Sequence, residues 1–232
     1  MFSNYVLKNI SGLYNVDYAN QIYTGRRRVG KKLIFKEKGY IYGPIRISAN
    51  DGVPESRMLI APTTEHDFIE DKVALFFVRD PRDILVSSYY SFGSTHGFSC
   101  VPEIREMQQK RREEIQKKTL DEFALSAVDR QIELFKKLHN LSNVCKRGII
   151  LKYEDMVDNF DIFSERLRRY VAIEDDVIRE LYCRSRPKQI EDKSSHRRSG
   201  QVQGFRTKLK TVTIENLNMR LEDTLALFGY ER

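Results

Sequence analysis

The sequence predicts an α/β fold in which helices flank a central, mainly parallel sheet. Two continuous apolar runs, Val73–Val78 (VALFFV) and 148–153 (GIILKY), have the length and composition of strands buried on both faces. Segments with the apolar spacing of helices follow both runs, and this alternation is typical of parallel sheets. A chain of 232 residues is long enough for one such fold, so we predict a single domain over 1–232.

The remaining elements follow from the spacing of apolar residues and from turn signals. Pro81 after Asp80 is typical of a helix start, so a helix is expected directly after VALFFV. Residues 103–118 are so highly charged that we expect their helix to face solvent. The sequence around Lys38-Gly39 predicts a hairpin. The other predicted helices are 3–16, 120–138, 159–172, 174–184 and 213–228, and the other predicted strands are 33–35, 40–47 and 57–61.

The composition excludes several classes of protein. Hydrophobic residues make up 41% of the chain and charged residues 31%, as in ordinary globular proteins. No run approaches the roughly 18 apolar residues that cross a membrane, and the first residues lack the basic stretch of a signal peptide. The 3 cysteines show no C-x-x-C spacing, which disfavours a disulfide framework or a structural zinc site. We expect a cytoplasmic protein with no transmembrane segment and no metal.

Positive charge is concentrated in one segment. The formal net charge is +7, from 40 Lys+Arg and 33 Asp+Glu. Residues 184–210 hold nine Lys/Arg and two acidic residues, so their surplus of seven equals that of the whole chain. An excess of this kind predicts an anionic partner.

The segment after VALFFV contains the first candidate site. Arg79 stands at the carboxyl end of the predicted strand, and Ser87 follows about two helical turns later. A guanidinium can bind a phosphate through two N–H groups, and a hydroxyl can donate a further hydrogen bond. The alternative is that Arg79 pairs with Asp83 or Asp80 and ties the strand to the helix.

Two further segments contain polar residues at positions where they could contact a ligand. In 151–156 (LKYEDM), Tyr153 ends the second predicted strand before an acidic turn, and a capped strand end is the alternative interpretation. In 197–209 (RRSGQVQGFRTKL), glycines allow backbone N–H groups to approach an anion while arginines supply charge. The alternative for this segment is a mobile basic surface loop.

Together, the three segments resemble those of sulfotransferases that use 3′-phosphoadenosine 5′-phosphosulfate (PAPS). The pattern V-R-D-P-R-D-x-x-x-S-x-Y-Y is similar to the family's 3′-phosphate-binding segment, which implies that Arg79 and Ser87 hold this phosphate. LKYEDM resembles the family's strand-end Tyr-Glu-Asp, which implies that Tyr153 lies beside the adenine.

The third segment resembles the family's R-K-G-x-x-G-x-W-K loop, which closes over the 3′-phosphate. The resemblance implies that Arg198, Ser199 and Gly200 contribute to this closure. The loop differs from the family pattern in three respects. Ser199 replaces the lysine, one extra residue separates the glycines, and Phe205 stands where tryptophan is usual.

The resemblance implies a three-layer fold of the P-loop nucleoside-triphosphate-hydrolase type. It also implies transfer of a sulfuryl group from PAPS to a hydroxyl or amine, which leaves 3′-phosphoadenosine 5′-phosphate and needs no metal. The acceptor would be a small molecule or a glycan. Neither its identity nor the oligomeric state follows from the sequence.

The family's 5′-phosphosulfate-binding segment, close to P-K-S-G-T-T-W, has no counterpart in the sequence. Either the sequence begins after that segment, or the protein has lost half of its donor site. We favour the first explanation because a parallel sheet without that strand would leave apolar surface bare. In the second case, the protein would be a catalytically impaired homologue that binds nucleotide and acts as a partner module.

The catalytic base has several candidates. Cytosolic members of the family use the histidine of a Lys-Thr-His motif, which is absent here. Glu65 and His66 follow the predicted strand 57–61, and His96 follows the Ser87 helix. A general base needs only reach to the acceptor oxygen and a suitable pKa, so all three residues are candidates. We expect His139 and His196 to be surface residues.

A nucleic-acid-binding protein is the third hypothesis, because the pI is about 9.2. The sequence contains no recognition helix, aromatic RNA-binding signature or zinc finger. We therefore expect no nucleic-acid partner.

Overall fold

The computed structural model describes residues 14–17, 40–43, 69–99, 102–187 and 200–232. The fold is mixed α/β and mainly helical. Its strands are β1 (Tyr14–Asp17), β2 (Tyr40–Gly43), β3 (Val73–Val78) and β4 (Arg147–Lys152). Its α-helices are α1 (Pro81–Tyr90), α2 (Pro102–Gln116), α3 (Leu120–Val144), α4 (Tyr153–Asp158), α5 (Phe160–Arg168), α6 (Asp175–Ser185), α7 (Phe205–Lys208), α8 (Thr211–Arg220) and α9 (Glu222–Leu227), and a π-helix covers Ser91–Thr95.

The chain divides into two compact units. The first unit comprises Met1–Phe77 and Asn140–Arg186, and the second comprises Val78–His139 and Pro187–Arg232. In both units, a segment from the first part of the chain packs with one from the second part. Each unit therefore requires contacts between residues that are far apart in sequence.

A short parallel sheet joins β1 and β2 in the first unit. Tyr14 lies opposite Tyr40 and Asp17 lies opposite Gly43. The predicted helix over 3–16 is wrong at its end, because Tyr14–Asp17 is a strand. Its tyrosine and valine suit a strand, and pairing with β2 outweighs the helical spacing. The predicted strand over 40–47 is confirmed for Tyr40–Gly43, while 33–35 and 57–61 lie outside the described residues.

The second pair of strands consists of β3 and β4, at or near the predicted positions. At the end of β3, Phe76 and Val78 are buried, but Phe77 between them is 39% exposed. The prediction that β3 is buried on both faces is therefore wrong, since this alternation is typical of a half-buried strand. Gly148 of β4 allows a close approach to β3, because a Cβ there would lie 3.0 Å from Cε2 of Phe76.

Three helices follow β4 in the first unit. Of these, α5 and α6 lie close to the predicted helices 159–172 and 174–184, whereas α4 covers residues for which the sequence predicted a strand end and an acidic turn. Their apolar faces supply buried residues of this unit's core, namely Met156, Val157, Phe160, Phe163, Leu167 and Leu181. The Phe160 ring lies 5.9 Å from that of Phe163 and 5.2 Å from that of Tyr182, centroid to centroid. Arg186, just beyond α6, donates to the carbonyl of Met156 at 2.9 Å and so connects the end of α6 to α4.

The second unit begins with α1, which starts where the sequence predicts. Pro81 is its first residue, and the Asp80 carboxylate caps it by accepting from the amide of Arg82 at 2.8 Å. Leucine, valine and phenylalanine side chains from α1, α3 and α7 to α9 form this unit's core. Its buried members are Leu85, Val86, Ala124, Val128, Phe205, Leu209, Leu217, Leu221 and Leu225.

The π-helix extends α1 and is covered by α2. Gly93 allows a close approach there, because a Cβ at this position would lie 3.1 Å from Cγ2 of Ile115 on α2. The Gln116 side chain also donates to the carbonyl of Gly93 at 2.8 Å. The helix predicted over 103–118 is confirmed, but one face of it packs against residues 91–99, so the expectation of a solvent-facing helix is wrong for that face.

The helix predicted over 213–228 is divided into α8 and α9 at Leu221. The break permits Leu221 and Leu225 to reach the core while Phe228 packs against α3. The ring of Phe228 lies 5.1 Å from that of Phe135 and 6.0 Å from that of His139. His139, predicted to be a surface residue, is thus half-buried. No helix among the described residues is both long and apolar enough to cross a membrane.

The two described cysteines have different surroundings, so we expect them to differ in reactivity. Cys145 is buried, its thiol contacts the carbonyl of Lys72 at 3.4 Å, and burial raises its pKa, whereas Cys183 is exposed. We expect iodoacetamide to alkylate Cys183 at least about tenfold faster, since only the accessible thiolate reacts. Peptide mass spectrometry measures both rates, and unfolding in urea serves as the control that equalises them. Equal rates in the native protein would contradict this burial.

Candidate functional site

The candidate site in the second unit is built around Arg79, directly before the Asp80 cap of α1. Its Nη2 donates to Oδ2 of Asp83 at 3.1 Å and to the carbonyl of Gln201 at 2.9 Å. The Arg79 side chain is 25% exposed, so part of it faces solvent. The sequence alternative in which Arg79 pairs with Asp83 is therefore present in the structure.

The Asp83 carboxylate joins α1 to the 200–204 segment. Oδ2 pairs with Arg79, and Oδ1 accepts from the amide of Phe205 at 3.0 Å. Only 1% of the Asp83 side chain is exposed. A buried carboxylate needs such partners, because the loss of its hydration is otherwise costly. Asp83 thus fixes both Arg79 and the first residue of α7.

The 200–204 segment approaches Arg79 through its backbone. Gly200 has φ of 71° and Gln203 has φ of 55°, both in the left-handed region. Glycine adopts this conformation without the steric cost that Gln203 bears. The two left-handed residues turn the chain so that the Gln201 carbonyl faces Arg79 while Phe205 starts α7.

A buried network of hydrogen bonds around Arg82 holds the start of α1 beside the site. Its Nε and Nη2 donate to the two carboxylate oxygens of Asp80 at 3.0 and 2.6 Å. Its Nη1 donates to Oδ1 of Asn218 at 2.6 Å, and Nη2 also donates to the carbonyl of Glu231 at 2.6 Å. The guanidinium carbon lies 4.2 Å from the centroid of the Phe205 ring. Arg82 therefore connects α1 with α7, α8 and the C-terminal residues.

The sequence analysis missed this role of Arg82. The available signal was an arginine at a helix start between Asp80 and Asp83, where two carboxylates could pair with two arginines. The structure makes both pairs, Arg82 with Asp80 and Arg79 with Asp83. Each of the two arginines in residues 79–83 is thus paired with one of the two aspartates.

Ser87 lies on α1 one turn beyond Asp83 and on the same face, because residues four apart are neighbours on a helix. It is half-buried, and its carbonyl accepts from the amide of Ser91 at the end of the helix. Its hydroxyl makes no hydrogen bond within the described residues. Arg79, Ser87 and the segment that begins at Gly200 are thus brought into one region of the second unit.

The other predicted nucleotide-binding residues are not placed in this region. Tyr153 belongs to the first unit, where it is half-buried and begins α4 directly after β4. Arg198 and Ser199 lie outside the described residues. Their predicted roles stay predictions.

Of the three candidate bases, only His96 lies within the described residues, while Glu65 and His66 do not. His96 follows the π-helix, with its ring centroid 5.4 Å from that of Phe92. Its carbonyl accepts from the Arg112 guanidinium of α2. The backbone at His96 is thus held by α2.

No group of three or more metal-ligating side chains occurs within 69–99, 102–187 and 200–232. The groups that the described residues bring to the Arg79 region are a guanidinium, a hydroxyl and backbone amides and carbonyls. These are the groups that bind phosphate esters.

Comparisons with known proteins give no match. No protein-family model matches the chain, and no curated protein or solved structure shows significant similarity to it.

Replacement of Arg82 tests the buried network. In Arg82→Ala, the Asp80 carboxylate stays buried without its cation, so we expect a loss of about 3–5 kcal/mol in the free energy of unfolding. Arg206→Ala removes an exposed arginine that also lies near the Phe205 ring, at 5.4 Å, and should change stability by less than about 0.5 kcal/mol. Urea unfolding followed by circular dichroism measures both, and equal stabilities would refute the importance of the network.

Replacement of Asp83 tests the connection between α1 and α7. In Asp83→Ala, the Phe205 amide loses its acceptor, and we expect its hydrogen exchange to accelerate by about tenfold or more. Asp83→Asn keeps an acceptor oxygen and should give an intermediate rate. Amide exchange followed by NMR measures the effect, with the amide of Leu217 on α8 as an internal reference. An unchanged Phe205 rate in Asp83→Ala would contradict the contact.

Proposed function

We propose that the protein is a sulfotransferase that binds PAPS and transfers its sulfuryl group to a hydroxyl or amine of a small-molecule or glycan acceptor. One observation carries the proposal. Two segments that the resemblance assigns to one phosphate site, 122 residues apart in sequence, lie in contact through the hydrogen bond between Arg79 and the Gln201 carbonyl. A random pair of basic surface segments would not be expected to meet in this way.

The residues present fit the 3′-phosphate of such a nucleotide. Arg79 offers a partly exposed guanidinium, Ser87 offers a hydroxyl on the adjacent face of α1, and the left-handed turn at Gly200 brings backbone groups close. In the proposal, Arg79 and Ser87 bind the phosphate, and Arg198, Ser199 and Gly200 close over it. The resemblance also assigns Tyr153 a place beside the adenine, and this role is part of the proposal. The proposed complete fold is the three-layer sulfotransferase fold with a central parallel sheet.

Asp83 has a defined part in this proposal. It orients Arg79 through one oxygen and holds the start of α7 through the other. Because Asp83 is negative and buried, it neutralises part of the charge of Arg79 in the absence of ligand. A phosphate then competes with the Gln201 carbonyl for Arg79, so binding and rearrangement of the 200–204 segment are coupled.

The reaction requires a base, an acceptor and a bound donor. PAPS supplies an activated sulfuryl group whose bond to the 5′-phosphate breaks as the bond to the acceptor forms. A base, for which Glu65, His66 and His96 are the candidates, takes the acceptor proton. The product 3′-phosphoadenosine 5′-phosphate keeps the bond electrons, and cationic groups stabilise the charge that develops on it.

A nucleotide-binding protein without turnover is the second candidate. It is favoured by the contacts of Arg79 itself, which already pairs with Asp83 and Gln201 as a purely structural arginine would. Such a protein would bind the nucleotide and act as a partner module. The proposed site for the 3′-phosphate is the same in both cases, and so is the proposed cytoplasmic location.

Nucleotide binding tests the proposed site. We expect 3′-phosphoadenosine 5′-phosphate to bind the full chain more tightly than adenosine 5′-monophosphate, which lacks the 3′-phosphate, in isothermal titration calorimetry. Arg79→Ala should weaken binding of the bisphosphate about tenfold or more and remove the preference, because a charged hydrogen-bond donor to the phosphate is lost. Ser87→Ala should weaken it about threefold to tenfold.

The matched control is Arg179→Ala, which removes an exposed arginine of α6 and should leave both affinities unchanged. Equal affinity for the two nucleotides in the unmodified protein would refute the 3′-phosphate site. Incubation with radiolabelled PAPS and a panel of acceptors then separates the two functions. Transfer of label supports the enzyme, and binding without transfer supports the partner module.

A further inference from the structure

Two adjacent arginines of α2 stack on two phenylalanine rings of residues 91–99. The guanidinium carbon of Arg111 lies 4.0 Å from the centroid of the Phe92 ring, and that of Arg112 lies 4.0 Å from the centroid of the Phe98 ring. Arg112 also donates from Nε to the carbonyl of Phe92 at 3.3 Å. Both guanidinium groups therefore contact Phe92, one at its ring and the other at its carbonyl.

Further hydrogen bonds hold the segment that contains the two rings. The Arg112 guanidinium also donates to the carbonyl of His96. Arg105 donates to the carbonyl of Ser99 at 3.0 Å, and the Ser99 amide donates to Oε1 of Gln108 at 2.7 Å. Both rings are thus attached to a backbone that α2 fixes in place. A surface fixed in this way loses little conformational entropy when a partner binds.

The same part of the second unit exposes apolar side chains. Phe98 is 40% exposed and Met107 is 41% exposed, while Phe92 is half-buried. Met107 lies one turn before Arg111, and residues four apart are neighbours on a helix. We call Phe92, Phe98, Met107, Arg111 and Arg112 the arginine–phenylalanine surface. Arginine, methionine and aromatic residues are the types that are enriched where proteins bind one another.

The charge of this surface is not neutralised within the described part of the chain. Neither Arg111 nor Arg112 forms an ion pair with any residue in 69–99, 102–187 or 200–232. Lys110 shows the contrast, because it pairs with Glu106 at 2.8 Å and both side chains are about two-thirds exposed. The exposed glutamates of α2 lie on the side of the helix away from Arg112, at Glu103, Glu106, Glu113 and Glu114.

We propose that the arginine–phenylalanine surface binds a short acidic segment of a partner protein, with an aromatic or aliphatic side chain among its carboxylates. A guanidinium stacked on a ring keeps its N–H groups in its own plane, where a carboxylate can accept them. The apolar side chain of the partner covers Phe98 and Met107. The surface contains none of the residues proposed to bind the nucleotide, so the inference does not rest on the proposed function.

The glutamates of α2 favour a short acidic segment over a long polyanion. They lie within the width of one helix, about 10 Å, from the two arginines. A nucleic-acid strand, which is charged at every nucleotide, would meet these carboxylates as it crossed the helix and would be repelled. A peptide with a few acidic residues can pair with the arginines and end before that side.

Selection from a defined peptide library tests the chemistry of the partner. The purified full chain is immobilised, a display library of random short peptides is selected on it, and peptides that also bind Arg111→Gln are removed. We expect the remaining peptides to be enriched in Asp and Glu beside an aromatic or aliphatic residue, because the two proteins differ only in the cation of Arg111. Recovery of no peptide, or of peptides without this enrichment, would overturn the inference.

The methyl group of Met107 reports where a selected peptide binds. In NMR spectra of the protein with isotope-labelled methionine methyl groups, the Met107 signal is assigned by its loss in Met107→Leu. We expect it to shift saturably with the peptide. Met219 of α8, which is 68% exposed and outside the surface, should keep its position and serves as the internal reference.

Matched variants separate this surface from charge in general. Arg111→Gln removes no described hydrogen bond and should weaken the peptide about tenfold, and Phe98→Ala should weaken it about threefold or more. Lys110→Gln removes the same charge from the exposed side of α2 and should leave the affinity within about twofold. Circular dichroism checks that each variant folds, and Arg111→Gln decides if Phe98→Ala does not. An equal effect of Lys110→Gln, a shift of Met219 in place of Met107, or tighter binding of oligouridylate than of the peptide at Met107 would contradict the proposal.

Discussion

The second unit depends on the buried charge of Arg82. With 2% of its side chain exposed, this guanidinium cannot be hydrated, so every donor must find a protein acceptor. The acceptors come from Asp80 at the cap of α1, from Asn218 on α8 and from the carbonyl of Glu231. The ring of Phe205 covers its face. The Arg82 side chain thereby connects the start of α1, α7, α8 and the C-terminal residues. The pair formed by Arg79 and Asp83 adjoins this network at the start of α1.

Much of this architecture could be predicted from local sequence. The apolar run of β3 and the Asp80-Pro81 signal define the start of α1, because a strand composition and a helix cap are local properties. The π-helix and the break at Leu221 could not be predicted, since both depend on what the chain packs against. The strand Tyr14–Asp17 was mistaken for a helix end because its partner, β2, lies far along the sequence.

The residues of the candidate site could be predicted from the sequence better than their arrangement in space. The motif identified Arg79 and Ser87, and the Gly200 segment was linked to them through resemblance alone. Neither the double role of Asp83 nor the position of Phe205 over Arg82 could be inferred, because each depends on geometry between segments more than a hundred residues apart. Under the proposed function, the structural and the ligand-binding interpretations of Arg79 are compatible, since an orienting carboxylate serves both.

The distance along the chain between Asp83 and Phe205 has a consequence for synthesis. Contacts of such high sequence separation carry a large loop-closure cost and form late in folding. While α1 emerges from the ribosome, α8 and Glu231 have not yet been made, so Asn218 and the Glu231 carbonyl cannot yet receive Arg82. The second unit can complete its core only after Asn218 and Glu231 have been translated, and until then its apolar helix faces lack their native neighbours.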